Sequence, residues 1–446
     1  MSASKLPYNL IDIPRSLLEY ICSFIDTVEL LTHCKTVNKQ VNTATHSKLA
    51  WRNSKLVFKY QKLSSNLCKI PYLHHLVLQN ITVNPLGLLI NNLKYIPCLK
   101  SLDLSNNGIG VEGCVALSNH LKNIHRNQIE ADGCISLSEH LNEIRSLTRL
   151  DLYYNNIAVR GCVALSNHLK DIPYLTDLNL NYNYIDAEGC VILSNHLKDT
   201  PLLKALHLGS NNIGNEGCFA LSTNFKYISS LTSLAVPVSN IGVEGCVAIS
   251  VNLKYIPYLN YLDLSYNNIL YEGCVELSKH LKDIPSLTML DLDSNSIYDG
   301  CISLITHLHD VPCLRTLDLS YNNIGDTGCV SLSQHLKNIP SLTCLCLDDN
   351  NIGDEGCISL SNHLKNISSL TVLDLEENDI KDDGYVSLMN HLNDIPTLTT
   401  LYLNHNDIIN AETYVIPNNN SKLYVGHWTS ERGYHEAKRL VKFREK

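Results

Sequence analysis

The sequence predicts an α/β repeat fold, an elongated array of strand–helix units preceded by a short all-helical stretch. Three observations carry this. A Gly, followed in most units by Cys, recurs at 113, 133, 161, 189, 217, 245, 273, 300, 328, 356 and 384. All but two of the steps are 28 residues, the exceptions being 20 and 27, and a fixed period of this size marks a stacked array. Each unit also carries Leu-x-x-Leu-x-Leu-x-x-Asn-x-Ile, as in "LTRLDLYYNNI" (147–157), where Leu150 and Leu152 alternate as in a strand. After the Gly the apolar spacing becomes 3 and 4: Cys114, Leu117, Leu121 and Ile124 form one helical face. Ile-Pro then closes most units, because proline cannot continue a helix.

Composition bounds the rest. Of 446 residues, 44 % are hydrophobic and 18 % charged, enough apolar material for a continuous core. No run approaches the roughly 18 apolar residues of a membrane span, and "MSASKLPYNLIDIPRS" lacks the layout of a signal peptide. Asn80 and Asn366, in Asn-x-Ser/Thr triplets, are therefore expected unglycosylated. Net charge is −9, but residues 61–409 hold 36 acidic against 20 basic residues, which argues against nucleic-acid binding by the repeats. Ten of the 17 cysteines occupy one repeat position, from Cys114 to Cys357. Stacked helices sit roughly 8–10 Å apart, too far for a disulfide, so these act as small buried residues. A reducing compartment follows, cytoplasmic with the nucleus as a second option.

The preface comes first in the chain. Pro14 suits a first helical turn, and Leu17, Leu18, Ile21, Phe24 and Ile25 form an apolar stripe. Asp26 and Thr27 stop that helix, a second begins near Leu30-Leu31, a third carries Val37 and Val41, and Trp51 ends the unit. About 45 residues make a small independent core, so a partner is expected to bury part of the stripe. Residues 8–55 resemble an F-box through Ile13-Pro14, Leu17-Leu18, Ile21, Phe24-Ile25-Asp26, Leu30-Leu31, Val37-Asn38-Lys39 and Trp51, with Asn38 and Val41 departing from the usual residues. The resemblance implies docking to the Skp-type adaptor of a cullin–RING ubiquitin ligase, with Pro14, Leu17, Leu18, Ile21, Ile25, Leu30 and Leu31 as contacts.

Residues 56–72 are read as a linker or N-terminal cap and 73–409 as about 12 repeats, one lacking its strand near 125, where "NIHRNQIEADGC" has no Leu-x-x-Leu-x-Leu. The array resembles the ribonuclease-inhibitor-like leucine-rich repeat. That resemblance implies a right-handed solenoid of horseshoe form, with parallel strands on the concave face and helices on the convex one. It also implies a buried ladder of asparagines at 107, 155, 183, 211, 267, 295, 322, 350, 378 and 406. In "LAVPVSNIG" (234–242), Pro237 and Ser239 replace the usual residues, so an irregular arc is expected there. Residues 410–446 read as a C-terminal cap and basic helix.

Catalytic motifs are not expected. "GIGVEG" (108–113) satisfies G-x-G-x-x-G, but sibling turns lack the triplet, so no nucleotide site is read from it. The recurrent His120, His140, His168, His196, His280, His307, His335, His363 and His391 point away from the cysteines and are expected to bond to their neighbours rather than to a metal. No cofactor, metal or small-molecule substrate is predicted, and no membrane.

Function is then sought on the strand face. Counting along each strand, the leucines at offsets three and five turn inward, so offsets two, four and six face out and offset seven lies at the rim. Those slots hold Asp177, Asp291, Asp293, Asp348, Asp349, Asp374, Glu376 and Glu377, interleaved with Tyr153, Tyr154, Tyr182, Tyr266 and Tyr321, against one base, Arg149. Carboxylates beside tyrosines suit Arg or Lys on a ligand. The sequence therefore predicts a non-catalytic substrate receptor of an SCF-type ligase that holds a basic protein target. The alternatives are a plain repeat interaction or inhibitor protein and, third, a GTPase-activating protein.

Overall fold

Leucines at alternate positions and a Gly-led apolar stripe give each repeat one three-residue strand and one short helix. The computed structural model describes residues 55–59, 75–79, 98–104, 130–409 and 424–426. The adaptor contacts expected at residues 14–31, the G-x-G-x-x-G stretch and the C-terminal basic helix lie outside these residues. Two compact units divide after Leu231.

In the first unit six strands pair in sequence order, all parallel. They are β1 (Lys55–Lys59), β2 (His75–Gln79), β3 (Ser101–Asp103), β4 (Arg149–Asp151), β5 (Asp177–Asn179) and β6 (Ala205–His207). The segment read as a linker or cap thus supplies most of β1. Ser101 of β3 stands opposite Arg149 of β4, 48 positions on, whereas β4, β5 and β6 follow at 28. Four helices accompany these strands among the described residues: α1 (Glu130–Glu139), α2 (Ala158–His168), α3 (Ala187–His196) and α4 (Gly214–Thr223).

The second unit repeats the plan. Its strands are β7 (Ser233–Ala235), β8 (Tyr261–Asp263), β9 (Met289–Asp291), β10 (Thr316–Asp318), β11 (Cys344–Cys346), β12 (Val372–Asp374), β13 (Thr400–Tyr402) and β14 (Tyr424–Gly426), again parallel and in order. The helices are α5 (Val243–Asn252), α6 (Leu270–Lys279), α7 (Gly300–Thr306), α8 (Gly325–His335), α9 (Asp354–His363) and α10 (Asp382–His391).

Inside each unit the strand leucines, the turn isoleucine and the helix Cys and Leu are fully buried. The asparagine ladder closes the turns. Asn322 donates from Nδ2 to the carbonyls of Leu292, Leu319 and Ser320 at 2.8–3.1 Å. Its Oδ1 accepts from the amides of Asn295 and Ile297, one repeat earlier. The irregularity expected at Pro237 and Ser239 is absent on the side that meets β8. Ser233 stands opposite Tyr261 in register, and the amides of Ser239 and Ile241 reach Asn267 Oδ1 at 3.0 Å. The backbone amide, not the side chain, is what the next Asn needs, so serine suffices.

Helices stop earlier than Ile-Pro suggests. α2 ends at His168, whose φ of −107° and ψ of 0° leave the helical region, and a 3-10 turn spans Leu169–Asp171 before Ile172. The recurrent His closes the helix with its own ring. Nδ1 of His140, His307, His335, His363 and His391 bonds to the carbonyl four residues back at 2.8–2.9 Å. His168, His196 and His280 turn instead to the Asp three residues on. Asn224 and Asn252 stand in the same slot and donate from Nδ2 to the same carbonyl, so a single N–H donor is the requirement. The expectation that these histidines bond to neighbours describes all eight that are visible.

Candidate functional site

The outward positions of the second unit line up in columns because the strands are parallel and in register. Offset four gives Asp263, Asp291, Asp318, Cys346, Asp374 and Tyr402 on successive strands, each roughly 4.8 Å from the next in backbone spacing. Each Asp has a local task. Asp263, Asp291, Asp318 and Asp374 accept the amide two residues on at 3.1–3.2 Å, capping the strand exit. That explains the Asp at this offset without any ligand.

Stacking has an electrostatic cost. Asp291 and Asp374 are 4 % and 8 % exposed. Burial, then the neighbouring carboxylates, pushes both well above the usual carboxylate range. Offset six continues the pattern with Asp293, Asp348 and Glu376, all buried. Ser320 Oγ contacts both Asp318 Oδ1, at 2.6 Å, and Asp348 Oδ1. The hydroxyl thus bridges the carboxylate of its own strand exit to that of the next repeat. Glu376 accepts from Asn404 Nδ2 yet is raised by burial. Burial, then the charge of Asp348, also raises Asp349.

The rim differs. Every described residue at offset seven of repeats 147–409 has φ of 48–59°: Tyr154, Tyr182, Ser210, Val238, Tyr266, Ser294, Tyr321, Asp349, Glu377 and His405. None is Gly, although Gly alone enters this region without steric penalty. The left-handed turn swings these side chains outward, leaving Tyr154, Tyr182 and Tyr266 52 %, 43 % and 51 % exposed and Glu377 exposed.

In the first unit the outward acids meet the unit's own base. Arg149 lies 3.3 Å from Asp151 and 3.7 Å from Asp177. Beside them Tyr153 meets Tyr182 edge to face at a centroid separation of 5.2 Å, and Tyr154 lies 6.0 Å from Tyr182. The thirteen expected target contacts therefore fall into two sets. Asp177, Tyr153, Tyr154 and Tyr182 stand beside Arg149 in the first unit. Asp291, Asp293, Asp348, Asp349, Asp374, Glu376, Glu377, Tyr266 and Tyr321 stand in the second. The buried members are a carboxyl-lined wall; Asp349, Glu377 and the tyrosines are the parts a ligand can touch first.

On the helix side the recurrent cysteines do more than fill space. Cys162 and Cys190 donate to the carbonyls of Gly189 and Gly217, the glycines of the following repeat, at 3.5 Å; Cys246, Cys329 and Cys357 do the same at 3.4 Å. All described cysteines are free thiols, and burial pushes Cys190, Cys246, Cys301 and Cys357 up to about 12. Asp326, Asp354 and Asp382 form a further link that sequence reading missed. Asp326 Oδ1 accepts the amides of Gly353 and Gly356, and Asp354 Oδ1 those of Lys381 and Gly384, capping the next helix. Their signal is the string "GDTG", "GDEG", "KDDG" in three consecutive repeats. Among the described residues no group of three His, Cys, Asp or Glu side chains is placed to hold a metal, and no helix is long and apolar enough to cross a membrane.

A family model described as Leucine Rich repeat matches residues 95–118, 143–166, 172–194, 201–222, 255–278, 312–333, 338–361 and 366–389. Among solved structures, an internalin from Listeria monocytogenes is 16 % identical with a TM-score of 0.47, covering 95 % of this chain and 100 % of its own. A leucine-rich-repeat protein from Leptospira interrogans is 16 % identical at 0.47, covering 88 % and 87 %. The TLR13–ssRNA13 complex is 20 % identical at 0.47, covering 84 % of this chain and 45 % of that one. No curated protein matches the sequence.

Proposed function

For a chain built of leucine-rich repeats, an architecture of protein interaction, we propose a non-catalytic recognition subunit that captures a basic protein segment on its strand face. The observation that supports this is the second unit's wall of buried carboxylates ending in an exposed acidic and tyrosine rim. An arriving Arg or Lys meets the carboxyl groups at the rim first, and charge-assisted bonds and cation–π contact then hold it. The test uses the full chain and a labelled peptide of alternating Arg and Gly. Affinity should fall steeply with salt. Asp349→Lys with Glu377→Lys, both at the rim, should weaken binding at least tenfold, and Asp348→Asn with Glu376→Gln should weaken it while sparing the fold. Equal affinity and equal salt slope in all variants would reduce the face to a solvated surface.

The finer assignment, a substrate receptor of an SCF-type ubiquitin ligase, is supported by the F-box resemblance of residues 8–55, which lie outside the described residues. Burying Leu17 and Leu18 in the adaptor is worth roughly 1.5–3 kcal/mol each. Leu17→Ser with Leu18→Ser should abolish co-purification with a Skp-type adaptor and leave peptide capture unchanged. Undiminished adaptor affinity in that double variant removes the ligase assignment and leaves the recognition surface standing.

A further inference from the structure

Strand β11 reads Cys344-Leu345-Cys346, so both thiols stand on the strand face while Leu345 enters the core. Their sulfurs are 3.7 Å apart. Cys344 is 4 % exposed and Cys346 half-buried. The register sets Cys346 between Asp318 of β10 and Asp374 of β12. No other strand of either unit carries two cysteines.

We propose that Cys344 and Cys346 form a chelating thiol pair for a thiophilic divalent cation of the zinc class, seated on the strand face. The bite distance is the first argument. Two sulfurs bound to one zinc at about 2.3 Å in tetrahedral geometry lie roughly 3.8 Å apart. A disulfide across the same pair would sit at the edge of its usual geometry. Residues i and i+2 of a strand have Cα atoms about 6.6 Å apart, against an upper limit of about 6.8 Å for a bridge.

Charge is the second argument. Asp318 and Asp374 flank Cys346, and both turn one oxygen to their own strand-exit amides. Neither forms a third ligand in its present rotamer, but together they surround the thiols with negative potential. A bound cation offsets that surrounding charge and binds the sulfurs as thiolates. Binding releases two protons, one from each sulfur, and forms two metal–sulfur bonds with no change of oxidation state. Asp318 or Asp374, after a rotamer change, and water complete the coordination.

The experiment titrates the full, reduced and metal-stripped chain with Co(II), and with Zn(II) against a chromophoric chelator. Wild-type protein should bind one equivalent that Cys344→Ser with Cys346→Ser loses, and each single variant should bind at least tenfold more weakly. The Co(II) complex should show thiolate charge-transfer absorption that the double variant lacks. Cys313→Ser, at an exposed cysteine elsewhere, should bind as wild type does. Should the serine variants fold poorly, wild-type protein alone still decides: Zn(II) should protect Cys344 and Cys346 from alkylation, mapped by mass spectrometry. Unchanged binding in the double variant overturns the proposal. So does unprotected alkylation, or a Cys344–Cys346 disulfide forming readily in a glutathione buffer. None of these outcomes depends on capture of the Arg–Gly peptide, so the two readings stand or fall separately.

Discussion

Asn322 shows how much one side chain holds together. Three carbonyls and two amides, all from the turns of its own and the preceding repeat, end on its amide group. Asn322→Ala leaves them buried without partners, at about 1–3 kcal/mol for each group that water cannot reach. Allowing for relaxation, a loss of about 2–4 kcal/mol is expected from denaturant midpoints, whereas Gln334→Ala, exposed on α8, should cost under about 0.5 kcal/mol. Equal midpoints for the two variants would contradict the ladder. The ladder was legible in the sequence because Asn recurs at one spacing from the strand leucines. Other residue-scale features were not. The left-handed rim carries mostly Tyr, Ser, Val and Glu, which do not signal a positive φ. The partner of Asp326 is an amide 27 residues away, and a linear reading places the two in different repeats.

At the scale of elements, adjacent strands turn a repeated Asp into a column. Sequence reading found which face the acids occupy, but not that register and close spacing bury them. The pH dependence follows from that burial. Asp151, Asp291, Asp374 and Glu376 are raised in the folded protein. Their protonated forms therefore favour folding, a contribution fully present below the unfolded carboxylate range of about 4 and lost as pH rises through the folded values. The melting temperature should be higher near pH 5 than near pH 8, and Asp291→Asn with Asp374→Asn should flatten the difference. A melting temperature that rises steadily from pH 5 to pH 8, unaltered in the double variant, would count against the buried column. Helix contacts make a second comparison. A Cβ at Gly328 would sit 2.3 Å from Ile324 Cγ2 and 2.9 Å from Cys301 Sγ, in the seam between two repeats. At Gly325, where φ is +63°, it would meet nothing within 4 Å. Gly328→Ala should therefore cost more, about 1–3 kcal/mol from overpacking, than Gly325→Ala, about 1 kcal/mol from backbone conformation alone. The reverse order in urea titrations would place the close approach elsewhere.

Across the whole chain, stability is a sum over neighbours, because each repeat touches chiefly the one before and the one after. The cysteines report on that sum. Among the described residues ten are buried, including Cys162 and Cys190 in the first unit and Cys274 and Cys329 in the second, while Cys313 is exposed. A thiol both buried and pushed far above its ordinary range reacts only when its repeat opens. Peptide-mapped alkylation of native protein should therefore modify Cys313 within minutes and leave those four intact, and denaturant should expose them in step with loss of helical signal. No disulfide between successive repeats should form even under mild oxidation. Each of the resolved Cys–Gly links commits its thiol to a backbone carbonyl 26 or 27 residues on, and the thiol one helix away faces its own Gly rather than its neighbour. Rapid labelling of Cys162 or Cys329 in native protein, or a bridge linking Cys162 to Cys190, would mean that the helices do not stack as the seam requires.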